Sequence, residues 1–174
     1  MRVLAIDPAL RNTGFAVIEQ ALAPAGKPKY RALAYGVIKN HRDLRQSGCL
    51  VAIREQIVAV IREYSPDVCA VEGIIYVQSY KTAITMGAAR GAAILAAAEH
   101  GLDIYEYAPR RVKQAVVGKG GAAKQQVAFM MRALLGLTET PDADAADALA
   151  IGMAHCYARD PNRVTATTDL PVSL

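Results

Sequence analysis

The chain opens on a short apolar run. Residues 2–6, RVLAI, are almost unbroken in hydrophobicity and stop at Asp7. Such a run predicts a central strand buried on both faces. Pro8 ends it and begins a loop through Asn12, and Thr13–Ile18 then alternates as a second strand returning in a hairpin. Pro24, Gly26 and Pro28 mark a loose connection over residues 21–29, after which Tyr30–Lys39 reads as a third strand. The first forty residues therefore predict a three-stranded meander. The period then lengthens. Leu50, Ile53, Ile57, Val60, Ile61 and Tyr64 recur at helical spacing, so a helix is expected over 44–64, stopped by Ser65 and Pro66.

Val68–Val71 is a second short apolar run, and Glu72 closes it as Asp7 closes the first. A helix over 79–100 follows, with Gly87 and Gly91 four residues apart, where another backbone is able to approach closely. LDIYEY at 102–107 predicts a fifth strand, and Pro109 suits the first turn of a short helix fading at Gly118. Gly120 and Gly121 form a loop, a helix spans about 123–135, and a last helix spans about 142–158 with Asp142 as its N-cap. Strands first, then strands alternating with helices, predict an α/β fold with a five-stranded mixed sheet flanked by helices. No repeat or linker divides the chain. One domain over 1–158 is expected, with a polar, flexible tail over 159–174.

Length and composition narrow the class. A chain of 174 residues, 53% hydrophobic, suits one packed domain. No apolar run approaches the roughly 20 residues of a membrane span, and Asp7 arrives too early for a secretory signal. A cytoplasmic protein with no membrane partner is expected. Cys49, Cys69 and Cys156 are far apart and lack metal-finger spacing, which fits free buried thiols. With only three histidines, a His-rich zinc site is disfavoured. The net charge of +4 says little by itself. Its distribution says more: no acid lies between Glu106 and Glu139, while Arg110, Arg111, Lys113, Lys119, Lys124 and Arg132 all do. A solvated basic face and a phosphate-binding surface both produce this pattern.

The chemistry rests on four acids. In open sheets with helical connections, ligand sites form at the carboxyl ends of strands, where Asp7 and Glu72 stand. Asp144 and Asp147 lie three apart in an otherwise apolar helix, hence on one face. Singly, each has an ordinary explanation: Asp7 before Pro8 is turn chemistry, Glu72 is a solvated strand end, and Asp144 favours the helix dipole. Asp147, flanked by Ala146, Ala148 and Leu149, is harder to explain so. Together they predict an oxygen-only site for Mg²⁺, or Mn²⁺ in its place, rather than Zn²⁺. Two such ions, about 3.5–4 Å apart, activate a water and stabilise the leaving oxygen of a phosphodiester.

These residues resemble the RuvC family of crossover junction endodeoxyribonucleases, which resolve Holliday junctions. The resemblance runs from Arg2 to about Cys156. It rests on IDPALRNTGFAVIE, VEGIIYVQSY, MGAARGAA, YAPRRVKQAVVGKGGAAKQQV and DADAADALA. It implies an RNase H-like fold, a homodimer, and Mg²⁺-dependent nicking of two symmetric strands of four-way junction DNA in recombination and repair. By motif it implies catalytic, metal-holding Asp7, Glu72, Asp144 and Asp147, with Lys113 and Lys124 contacting DNA. Lys119, Arg110 and Arg111 share their basic segment. It implies RuvA and RuvB as partners, and gives Gly87 and Gly91 to a dimer-forming helix. Two positions depart from the pattern. Ala9 replaces the usual Gly after Asp-Pro, and Ile75 stands where many members carry a Phe that stacks on an unpaired base, with Tyr76 adjacent as a substitute. The rival readings are a non-catalytic junction-binding protein and an actin-like ATPase domain. The second needs a repeated phosphate loop that this chain lacks. GKGG is not a Walker loop either, because Gly120 rather than Ser or Thr follows Lys119.

Overall fold

The computed structural model describes residues 1–22, 28–74, 79–160 and 172–174. Its elements in order are β1 (Arg2–Asp7), β2 (Asn12–Leu22), β3 (Pro28–Lys39), α1 (Gln46–Tyr64), β4 (Val68–Glu72), α2 (Tyr80–Ala98), β5 (Asp103–Tyr107), α3 (Pro109–Val117), α4 (Lys124–Leu135), α5 (Ala143–Ala158) and β6 (Val172–Ser173). They form one mixed sheet in the order β3-β2-β1-β4-β5-β6. The β1–β2–β3 meander is antiparallel, whereas β4 and β5 run parallel to β1. The five expected strands all form. A two-residue sixth, β6, joins β5 antiparallel at the sheet edge. Most of the expected flexible tail, residues 161–171, lies outside the described residues.

The apolar run of β1 is central because both faces of the sheet are covered. Val3, Leu4, Ala5 and Ile6 have no exposed surface. Strand alternation divides them. Val3 and Ala5 join a core with α3, α4 and α5, while Leu4 and Ile6 join a second core with α1 and α2. The buried thiols follow the same division: Cys156 belongs to the first core and Cys69 to the second. Burial pushes both thiols up to about 12.

Helix ends fall where the sequence places them, for local reasons. Ser79 caps α2 by accepting from the Thr82 amide at 3.2 Å. Pro109 occupies the first turn of α3, and Gly118 ends it at φ 80°. Ser65 ends α1 at φ 46°, the one non-glycine residue at positive φ among those described. Asp142 is the N-cap of α5, but its side chain makes no cap hydrogen bond. Its carboxylate instead faces Lys39 Nζ at 3.8 Å.

α5 is the helix the sheet wraps. From Ala145 to Tyr157 all its residues but Asp147 are buried. Its alanines let it lie close on β1 and β2, and Gly152 takes one of the tight points. A Cβ there would stand 2.9 Å from Ile18 Cδ1 and 3.1 Å from Ala5 Cβ. Toward its C-terminal end, His155 has no exposed surface and hydrogen-bonds through Nδ1 to Tyr107 Oη at 2.9 Å. The Arg159 guanidinium lies 4.7 Å above the Tyr105 ring, which itself packs on His155.

Candidate metal and nucleic-acid site

The strand parity that buries β1 also aims its last residue. Val3 and Ala5 point to the α5 side, so Asp7 does too. On β4, Ala70 points that way, and so does Glu72. The parallel register sets Ile6 against Val71, leaving the two acids adjacent at the strand ends. Glu72 donates a side-chain hydrogen bond to Asp7. α5 supplies the other two acids. β1 pairs Asp7 with Gly14 of β2, and Gly14 carries the start of α5. A Cβ on Gly14 would collide with the Asp144 carbonyl, so only glycine lets that helix end settle here. Carboxylate oxygens of Asp7, Asp144 and Asp147 then lie within 4.8 Å of one another. Glu72 falls outside that spacing and reaches the cluster through Asp7.

Four half-buried carboxylates cannot all be charged at no cost. Burial, then the Asp147 charge, raise Asp7 to about 6, against the pull of Glu72 and Lys124. Burial, then the charges of Asp7 and Asp147, raise Glu72 to about 8. Lys124, the first residue of α4, brings a cation to these acids. Its Nζ stands 3.2 Å from Asp147 Oδ2 and 3.6 Å from Asp144 Oδ1. Partial burial works against that ammonium, but Asp147, Asp144 and Asp7 outweigh it and hold its pKa above the ordinary value. Converging carboxylates and raised proton affinities, with no sulfur or imidazole donor in the cluster among the described residues, fit a hard divalent cation.

The loop beside Asp7 is built from backbone bonds. Thr13, fully buried, donates to the Ala9 carbonyl at 2.6 Å and accepts from the Ala9 amide at 3.3 Å. Ala9 has no positive φ, so the backbone here does not demand a glycine. Asn40 holds the same loop through the Leu10 carbonyl at 2.8 Å.

The basic segment is only partly drawn into the site. Lys124 enters the acid cluster. Lys113 and Arg111 are half-buried on α3, Arg110 is exposed there, and Lys119 is exposed on the loop beyond. Gln114 shapes that loop, donating to the Gly118 carbonyl at 2.8 Å and accepting from the Gly120 amide at 3.1 Å. Ile75 and Tyr76 lie outside the described residues. Gly87 and Gly91 approach no other element among the described residues: a Cβ on either would meet nothing within 4 Å. They are exposed on α2 in line with Tyr80, Ile84 and Leu95, which are 92%, 70% and 49% exposed.

A mixed sheet of this order, with carboxylates at two parallel strand ends and on a covering helix, defines the RNase H-like class. The sequence profile of the family "Crossover junction endodeoxyribonuclease RuvC" matches residues 3–155. A protein of that name from Akkermansia muciniphila is 58% identical over 161 residues, covering 92% of this chain and 93% of its own. Another, from Caldicellulosiruptor saccharolyticus, is 41% identical over 156 residues, covering 89% and 92%. Among solved structures, T. thermophilus RuvC in complex with Holliday junction substrate superposes with a TM-score of 0.82 at 36% identity, over 91% of this chain and 95% of that one. The yeast mitochondrial Holliday junction resolvase Ydc2, 13% identical with a TM-score of 0.55, shares the fold. The chain belongs to the RuvC crossover junction endodeoxyribonuclease family.

Proposed function

We propose that this protein is a metal-dependent endonuclease that resolves four-way DNA junctions by nicking two symmetric strands. Asp7, Glu72, Asp144 and Asp147 are its catalytic, metal-holding acids. The observation that carries the reading is the convergence of Asp7, Asp144 and Asp147 with Glu72 bonded to Asp7, in a chain of this family.

Mg²⁺, or Mn²⁺ in its place, two per site, would activate the attacking water and neutralise charge on the phosphate. The chain's own groups do the rest. Asp7 and Glu72 would hold the cations as carboxylates, their shared proton having left to solvent. Asp144 and Asp147, anchored by the packed α5, fix the distance between the strand ends and the helix. The Lys124 ammonium, at the rim of the cluster, is placed to hold a phosphate oxygen. Water adds to phosphorus as the bond to the 3′ oxygen breaks, which leaves a 5′-phosphate and a 3′-hydroxyl that a ligase can rejoin. Lys113, Lys119, Arg110 and Arg111 hold the strand on the α3 side, with Ile75 and Tyr76 at the junction centre.

Two sites are needed for paired nicks, and the stripe Tyr80, Ile84, Gly87, Gly91 and Leu95 on α2 offers the homodimer face. Residues 1–158 act as the nuclease domain and 159–174 as its tail, in the cytoplasm, with RuvA and RuvB as partners in recombination and repair.

The test is a synthetic mobile four-way junction incubated with Mg²⁺. Paired nicks are expected, abolished by EDTA. Asp147→Asn is expected to cut cleavage by at least about 10³-fold while junction affinity stays within a few-fold, since it weakens the metal site and leaves the basic face intact. An intact junction across several sequences would overturn the reading.

A further inference from the structure

On the opposite face of the sheet from the acids, a second charged pair stands where charge is costly. Arg90 of α2 donates from Nη2 to Glu106 Oε2 of β5. Only 19% of the Arg90 side chain is exposed, and its Nε is buried without a hydrogen-bond partner. An apolar pair would pack this interface without leaving a buried donor unused.

The neighbouring backbone gives the pair a role. β4 and β5 run parallel, with Val71 opposite Glu106 and Glu72 opposite Tyr107. Glu72 faces α5, so the next residue, Gly73, turns toward the other face and meets Glu106. A Cβ on Gly73 would stand 2.8 Å from Glu106 Oε1 and 3.0 Å from its Cγ and Cδ. The Gly73 amide donates to the Tyr107 carbonyl at 2.9 Å. The chain leaving Glu72 is thus clamped between a β5 carbonyl and a carboxylate that Arg90 holds still.

We propose that Arg90 and Glu106 are positioning residues for the Glu72 carboxylate. The pair fixes the exit of β4 and with it the reach of Glu72 to Asp7 and Asp147. This rests on the reading of the four acids as a metal site. Arg90 also sits between Gly87 and Gly91 on α2, so the pair ties Glu72 to the helix that bears the exposed apolar stripe.

Glu106→Gln keeps the shape and removes the charge. Arg90→Met keeps the length and removes the donors. Each variant is read in three ways: Mn²⁺ affinity of the DNA-free protein by calorimetry, junction affinity in EDTA, and single-turnover cleavage in Mg²⁺. Mn²⁺ affinity and cleavage rate are expected to fall about 10- to 100-fold, with junction affinity changed by less than about twofold. The double variant is expected to be no worse than the worse single one, because both remove the same clamp. A pair that serves only the packing would lower the melting temperature and leave Mn²⁺ affinity of the folded protein unchanged, and that result overturns the proposal. Should Arg90→Met fail to fold, Glu106→Gln decides alone. Glu72→Gln is the control. If it leaves Mn²⁺ affinity and cleavage intact, the metal-site reading has failed. If it abolishes them while Glu106→Gln does not, only the positioning role falls.

Discussion

Asp7 and Glu72 hold a proton between them at pH values where either acid alone in water would have lost it. In the unfolded chain both ionise near pH 4; in the fold, burial and the Asp147 charge move Asp7 to about 6, and burial with the charges of Asp7 and Asp147 moves Glu72 to about 8. Over that interval the folded protein binds more protons than the unfolded chain, so stability falls as pH rises. His155 acts in the opposite sense. Burial, helped by Arg159, lowers it to about 4, so the fold binds fewer protons below pH 6.5 and gains stability as pH rises toward that value. The two effects offset in part under acidic conditions; above pH 6.5 Glu72 dominates, and toward pH 8.5 the buried thiols of Cys69 and Cys156 add to it in the same sense. In EDTA the melting temperature is expected to drop by a few degrees from pH 6.5 to about 8.5. Saturating Mg²⁺ should remove the drop, because the cation binds the deprotonated acids. A scan in EDTA that stays flat or climbs over this range would contradict the placement of Glu72.

At the scale of elements, the site is a junction between two strand ends and one helix start, and Gly14 sets the distance. Gly14→Ala pushes a methyl group into the Asp144 carbonyl, and either β2 or α5 must yield. A loss of about 1–3 kcal/mol is expected, or a few degrees in melting temperature, with Mn²⁺ affinity falling as Asp144 and Asp147 retreat. Wild-type stability in this variant would show that α5 is not seated on β2 as described. The elements that converge were legible because each carries its own pattern. Two apolar runs end in acids, and one apolar helix carries acids three residues apart. The contacts that tune the site were not. Nothing in the string of basic residues from Arg110 to Arg132 marks Lys124 as the one that turns inward to Asp147. Arg90 and Glu106 are sixteen residues apart on different elements, and only the packing of α2 against β5 brings them together. Gly14 looked like any strand glycine, because the helix it admits begins 129 residues later (143 − 14). Gly87 and Gly91 were legible as a place of close approach, yet no element among the described residues approaches them.

For the whole molecule, the proposed homodimer would make that open face on α2 set how many active centres act together. Ile84 is 70% exposed. Ile84→Glu is therefore expected to leave the melting temperature of the isolated subunit within about 1–2 °C while placing charge in a desolvated interface. Sedimentation should shift from dimer toward monomer, and junction products from paired to single nicks. A variant that still sediments as the wild type and still cuts in pairs would move the assembly face elsewhere.

The division of the interior by the sheet has a practical reach beyond the reaction. Cys156 lies on one side of the sheet and Cys69 on the other, both without exposed surface and both protonated at neutral pH. An alkylating reagent can modify either only when that half of the molecule opens. Mass spectrometry of the two labelled peptides over time would thus give two separate clocks from one unmodified chain. Equal rates would mean that the layers come apart as a single cooperative unit. Unequal rates would say which layer breathes first.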